Sequence, residues 1–134
     1  MSANVFIRAL LLRRIAATVG LMAAAGCGQT PAPAPADETQ ARQTLEKVLA
    51  AWQHGQTVEA MKQASPPILV SDPSWQKGES LRKYEVAGPG KPSGAEREFT
   101  VMLWLADPRG KERKAEVAYK VGTDPILTVF RSLF

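Results

Sequence analysis

Two runs of alternating apolar and polar residues, joined by Asp107-Pro108-Arg109-Gly110, constrain this chain more than any other feature. In the first, Phe99, Val101, Leu103 and Leu105 alternate with Thr100, Met102 and Trp104. In the second, Ala115, Val117, Tyr119 and Val121 alternate with Glu116, Ala118 and Lys120. A period of two is that of a strand with one face against a core. Pro108 and Arg109 suit the central positions of a type I turn, and Gly110 the left-handed position after it. The turn sets a register. With Asp107 opposite Lys111, Leu103 meets Ala115, Val101 meets Val117 and Phe99 meets Tyr119, all on one face. On the other face Trp104 meets Lys114, Met102 meets Glu116, and Glu98 meets Lys120. A slip of one residue would mix the faces.

The residues before this hairpin have helical period. Asp37 can cap a helix, with Gln40 three residues on, and Leu45, Val48, Leu49 and Trp52 then share one face. Gly55 offers a stop. Thr57 can cap a second, short helix through Met61 to about Ala64, which Pro66 and Pro67 end. A strand is expected over Leu81 to Ala87, with Tyr84 and Val86 inward. A loop is expected over Gly88 to Gly94 (GPGKPSG), and a final strand over Ile126 to Arg131. Ile68 to Val70 adds a candidate short strand. The expected class is α+β: an N-terminal helix packed on a curved antiparallel sheet of about four strands. By element order this resembles the cystatin-like or NTF2-like folds, a likeness that implies no function.

Composition must be divided before it is read. The 134 residues carry 17 Lys and Arg against 13 Asp and Glu, net +4. Arg8, Arg13 and Arg14 precede Cys27 and no acid does, so the chain from Cys27 onward is nearly neutral. That gives no electrostatic case for a nucleic-acid partner. Ile15 to Gly26 is an uncharged run, shorter than the ~20 residues a membrane-spanning helix needs and within the ~7–15 of a secretory h-region. It ends Ala24-Ala25-Gly26-Cys27, which resembles the bacterial lipobox, although Ala24 stands where Leu is usual. The resemblance implies cleavage before Cys27, acylation of Cys27, and residues 1–26 as a signal peptide. An ordinary signal peptide cut nearby and a retained anchor are the other readings. Gly28, in place of the Asp that often accompanies inner-membrane retention, inclines the expectation to the outer membrane, with the domain on the periplasmic side. Residues 27–36 read as lipidated Cys and tether: Pro alternating with Ala excludes helix and favours an extended spacer. Residues 37–134 then form the domain.

Few residues invite chemistry. With one cysteine, no disulfide can form within the chain. A zinc site has no motif spacing to support it, and neither a catalytic set nor a cofactor is expected. His54, the single histidine, sits near a helix end, where a cationic ring is favoured by the dipole. In Ser71-Asp72-Pro73-Ser74-Trp75, Asp72 can accept backbone N–H bonds in an Asx-type turn while Trp75 plugs one end of the core. The same two residues are candidates for a binding pocket. Gly88-Pro89-Gly90 lacks the strand–turn–helix context of a phosphate loop. Gln56-Thr57-Val58-Glu59-Ala60 nearly matches the cystatin inhibitory loop, but Ala60 breaks the match. Glu85, Glu96 and Glu98 read as solvated strand positions. Met102 and Trp104, with Leu127, form an apolar stripe on the second sheet face. Such a stripe needs cover from the chain itself or from a partner.

From Leu45 to Phe134 the pattern also resembles small lipoproteins of planctomycete-type bacteria. The shared features are Trp52 and Gly55, Asp72-Pro73-x-Trp75, Tyr84, Asp107-Pro108-x-Gly110, and Val121-Gly122-Thr123 leading to Val129-Phe130-Arg131. The likeness implies no activity. The leading expectation is a lipid-anchored envelope protein that binds a protein or the envelope through the Met102/Trp104 face. The alternatives are a small-ligand binder or enzyme using the mouth of a cone-shaped fold, and a structural spacer.

Overall fold

The computed structural model describes residues 33–133; the leader, Cys27 and most of the tether lie outside the described residues. Helix α1 spans Glu38–Gln53, and the Asp37 carboxylate accepts from the Gln40 amide at 2.9 Å, as its sequence predicts. Ala41, Leu45, Val48, Leu49 and Trp52 form its buried stripe. Gly55, at φ +83°, turns the chain out of the helix. Helix α2, Val58–Lys62, is capped by Thr57, whose hydroxyl accepts from the Ala60 amide at 3.2 Å. Strand β1 is Ile68–Ser71, and a single helical turn, α3, is Pro73–Gln76. Strands β2 (Ser80–Ser93), β3 (Glu96–Ala106), β4 (Glu112–Gly122) and β5 (Leu127–Arg131) follow. None of the described helices is long and apolar enough to cross a membrane.

The class is α+β, but the sheet differs from the expected four antiparallel strands. It has five, in the order β1-β5-β4-β3-β2, and it is mixed. Strands β2 to β5 form an antiparallel meander, while β1 lies parallel to β5 with Ile68 opposite Leu127 and Val70 opposite Val129. The cause is the route of the chain. From β1 it runs through α3 to the opposite edge of the sheet, so β1 cannot form a hairpin with β2 and fills the edge beyond β5. The β3–β4 hairpin has the predicted register throughout, from Glu98 opposite Lys120 to Trp104 opposite Lys114. The Asp107 carboxylate closes its turn, accepting from the Arg109 and Lys111 amides at 2.9 and 2.8 Å.

The helices lie on one face of the sheet. Under α1, Phe99, Val101, Leu103, Leu105, Tyr119, Val121 and Val129 are all 0–1% exposed. Each large side chain so buried contributes roughly 1.5–3 kcal/mol. Tyr84 and Val86 pack against this core half-buried. Leu127 faces the core as well, which corrects its expected place on the second face. Strand alternation puts Phe130 there instead, 41% exposed.

The loop expected over Gly88 to Gly94 is instead, as far as Ser93, the second half of β2, continued across a register break between Ala87 and Lys91. The first two turns of α1, with Arg97 of β3, supply the partners the irregular strand needs. Arg42 donates to the Gly88 carbonyl at 3.0 Å, and the Gly90 amide donates to the Glu38 carboxylate at 3.3 Å. Arg97 donates to the carbonyls of Gly90 and Ala36 at 3.2 and 2.6 Å. The entering chain is thereby fastened to the β2–β3 end, and Ala36 is already buried.

Gly90 lies directly against the Phe99 ring; a Cβ there would stand 2.7 Å from ring atoms. Gly90→Ala should destabilise the domain by about 1–3 kcal/mol through overpacking. Urea unfolding checks this, and an unchanged midpoint would show that the strand and ring can separate freely.

Candidate functional site

Asp72 follows β1 directly and is 1% exposed. A carboxylate so buried requires hydrogen-bond partners and a compensating charge. One oxygen accepts from the Ser74 and Trp75 amides at 2.8 and 3.3 Å, which caps α3. The same oxygen meets the Arg131 guanidinium at 3.2 Å, and the other accepts from the Tyr119 hydroxyl. Arg131 also donates to the Ser74 hydroxyl at 2.6 Å, and Arg113 reaches that hydroxyl at 3.1 Å. Arg113 in turn holds Glu79 with two bonds, 3.1 and 2.7 Å. Glu79, Arg113, Ser74, Arg131, Asp72 and Tyr119 thus form one continuous network linking the β1–β2 crossing to β4 and β5.

The sequence pointed to Asp72 as an Asx-type acceptor, and it is one. Tyr119 and Arg131, which complete the site, were legible only as an inward strand residue and a strand end. They meet Asp72 because Tyr119 and Arg131 are cross-strand neighbours. Burial and the Asp72 charge push the Tyr119 phenol well above its ordinary 10.0. The hydrogen bond from Arg113 is the main cause holding the Glu79 carboxyl below its ordinary 4.5.

Trp75 is 8% exposed and stacks on Trp52, with ring centroids 5.2 Å apart and planes within 7°. Both indole N–H groups are engaged, Trp52 with the Glu79 carbonyl at 2.8 Å and Trp75 with the Gln56 carbonyl at 3.0 Å. The pair plugs the end of the core where α1 finishes. An open groove of about 880 Å³ passes over it, lined also by His54, Gln56, Glu59 and Arg82. His54 itself sits at the helix end, its Nδ1 2.6 Å from the Ala50 carbonyl. Asp72 and Trp75 therefore belong together.

Met102 and Trp104 lie on the opposite face of the sheet and do not join them. On that face the cross-strand rows read Lys83-Trp104-Lys114 and Glu85-Met102-Glu116. Both lysines stand over the indole, 4.7 and 5.0 Å from its centroid, and Lys83 pairs with Glu85 at 3.2 Å. Cation–π contact and the lysine stems leave Trp104 partly covered rather than bare.

Among the described residues no three His, Cys, Asp or Glu side chains cluster as a metal site would. Comparison with protein-family models, curated proteins and solved structures yields no match.

The Glu79 bond carries a pH signature. A carboxyl whose folded pKa is depressed stabilises the fold above its unfolded value, and that contribution is lost as pH falls through the folded value. Because Arg113 is about half exposed, the effect is screened and modest. Glu79→Gln should therefore be less stable than the parent at neutral pH but lose less on acidification below about 4.5. Parallel stability-versus-pH curves for the two chains would contradict this.

Proposed function

We propose that the chain is a lipid-anchored protein of the bacterial cell envelope, held at the membrane through Cys27, whose domain binds another protein by the sheet face carrying Met102 and Trp104. The observation that carries the binding half of this reading is that the helices all pack on one side of the sheet, while the other side keeps Trp104, Met102 and a 41% exposed Phe130 without a covering element among the described residues. A tryptophan held rigid between two lysines is suited to recognition, because little side-chain freedom remains to be lost on binding. The anchoring half is supported by the Ala24-Ala25-Gly26-Cys27 sequence, the short apolar run before it and the Pro/Ala spacer after it. Gly28 favours the outer membrane, with the domain facing the periplasm.

On fold, the proposal includes kinship with the cystatin-like or NTF2-like layouts, supported by a long helix leading into an antiparallel meander. The parallel β1 departs from the four-strand version. A ligand pocket in the mouth of a cone is less well supported. The inner sheet face, where such a cavity would open, is filled by Phe99, Leu103 and Tyr119 at 0–1% exposure. The Asp72 network likewise spends its bonding capacity within the fold.

Two measurements test the two halves. Cys27→Ser should be exported yet released from membranes, and mass spectrometry of the parent should find acyl chains on Cys27; a variant that stays membrane-bound would overturn the anchor. An envelope protein co-purifying stoichiometrically from native membranes should be lost roughly tenfold or more with Trp104→Ala, the size expected for an interfacial tryptophan anchor. Equal recovery with Trp104→Ala would exclude this face.

A further inference from the structure

The sheet has a step. Strand β5 pairs with β4 only from Tyr119 to Gly122, and the chain after it reaches one residue further, where the Ser132 amide donates to the Ala118 carbonyl at 2.8 Å. Beyond that point the edge of β4 from Arg113 to Val117 faces no strand among the described residues. It borders an open groove of about 600 Å³ between β4 and α3. An unpaired edge presents a row of backbone N–H and C=O groups that will pair with another strand unless blocked.

The geometry points to a second copy of this chain as the occupant, with β4 pairing antiparallel to its own counterpart across a two-fold axis at Ala115. The Ser132 bond fixes the phase: the Ala118 carbonyl points to this side, so by alternation the backbone groups of Lys114 and Glu116 do too. A two-fold at Ala115 then makes Lys114 and Glu116 of the two copies hydrogen-bonded pairs, and the opposed Ala115 residues the close, non-hydrogen-bonded pair, where a small side chain fits.

Charge selects this register over its neighbours. Lys114 of each copy meets Glu116 of the other, so opposite charges face each other twice. An axis at Lys114 or at Glu116 would oppose like charges, and one at Arg113 would oppose two arginines. An axis at Val117 would set Glu116 against Ala118, whose carbonyl is already taken by Ser132. With the axis at Ala115 only Glu112 reaches that position, so the pairing runs from Arg113 to Val117 and the chains diverge beyond it. The rows on the outer face also continue across the axis: Lys83-Trp104-Lys114 runs into Glu116-Met102-Glu85 of the second copy. Positive row meets negative row, and two Met102/Trp104 faces merge into one. The inference deepens the proposed binding face and rests on it for its purpose, but the pairing itself needs neither the lipid nor another partner.

The test uses the full chain, whose one native cysteine is Cys27. In a non-hydrogen-bonded antiparallel pair the Cα atoms are about 4.5 Å apart, within the range a disulfide spans. Ala115→Cys should give a disulfide-linked dimer on mild oxidation in the producing cells, seen on a non-reducing gel. Thr100→Cys, exposed but one strand in from the edge, should not. Adding Glu116→Lys to Ala115→Cys should cut the cross-linked fraction several-fold by opposing Lys to Lys, and adding Lys114→Glu as well should restore it. Lys114 and Glu116 are both exposed, so these changes leave the core alone. Three results would each overturn the proposal: Ala115→Cys linking no better than Thr100→Cys, insensitivity to Glu116→Lys, or no rescue by the charge swap. Cross-linking is read in whichever fraction holds the protein, so failure of the anchor and failure of the pairing are seen separately.

Discussion

The buried carboxylate of Asp72 is the constraint on which the rest of this domain depends. The chain must pass from β1 at one edge of the sheet to β2 at the other, and it does so with four residues of helix and little regular structure. What fixes that passage is polar. Asp72 caps α3 with one oxygen, and through Tyr119 and Arg131 it is tied to β4 and β5. Trp75, placed by the cap, stacks on Trp52 and closes the open end of the core. A buried charge is costly when unpartnered, and so it favours the one arrangement that supplies all its partners. Here those partners come from three separate elements.

The two faces of the sheet follow different rules as a result. The inner face is covered by α1 and by the tryptophan stack, which leave Phe99, Val101, Leu103, Leu105, Tyr119, Val121 and Val129 almost without solvent contact. The outer face is organised by cross-strand rows in which charged residues flank Trp104 and Met102. The Lys83 and Lys114 ammonium groups stand over the indole, so an apolar stripe is flanked by charge and still presented. The unequal lengths of β4 and β5 then expose part of a strand edge beside that stripe, with lysine and glutamate placed to complement a copy of themselves.

What could be read from the sequence was whatever depended on local period and turn chemistry. The β3–β4 hairpin was legible to the residue, because Pro108 and Gly110 fix the turn and a slip would bury charge. The capped start of α1 and its Leu45-to-Trp52 stripe were equally plain. The parallel β1 was not, since the pairing of Ile68 with Leu127 joins residues far apart in the chain and leaves no local trace. Gly88-Pro89-Gly90 has the composition of a loop; it is held as strand only because Arg42, Glu38 and Arg97 supply partners from elsewhere. Asp72 was visible as a turn-former, but its meeting with Tyr119 and Arg131 required the strand order. The face of Leu127 was not legible, because a strand apolar on both sides gives alternation nothing to distinguish.

The central claim is that Asp72 and its partners act as one unit holding the crossing to the sheet. A double-mutant cycle on Asp72→Ala and Arg131→Met, followed by urea unfolding, tests it most directly. Removing either partner alone should cost about 3 kcal/mol or more, since each leaves the other buried without its counter-charge. Removing both should cost well short of the sum, a coupling of about 2 kcal/mol. Additive losses, agreeing within about 0.5 kcal/mol, would mean that the two residues stabilise the fold independently and that Asp72 is not its hub.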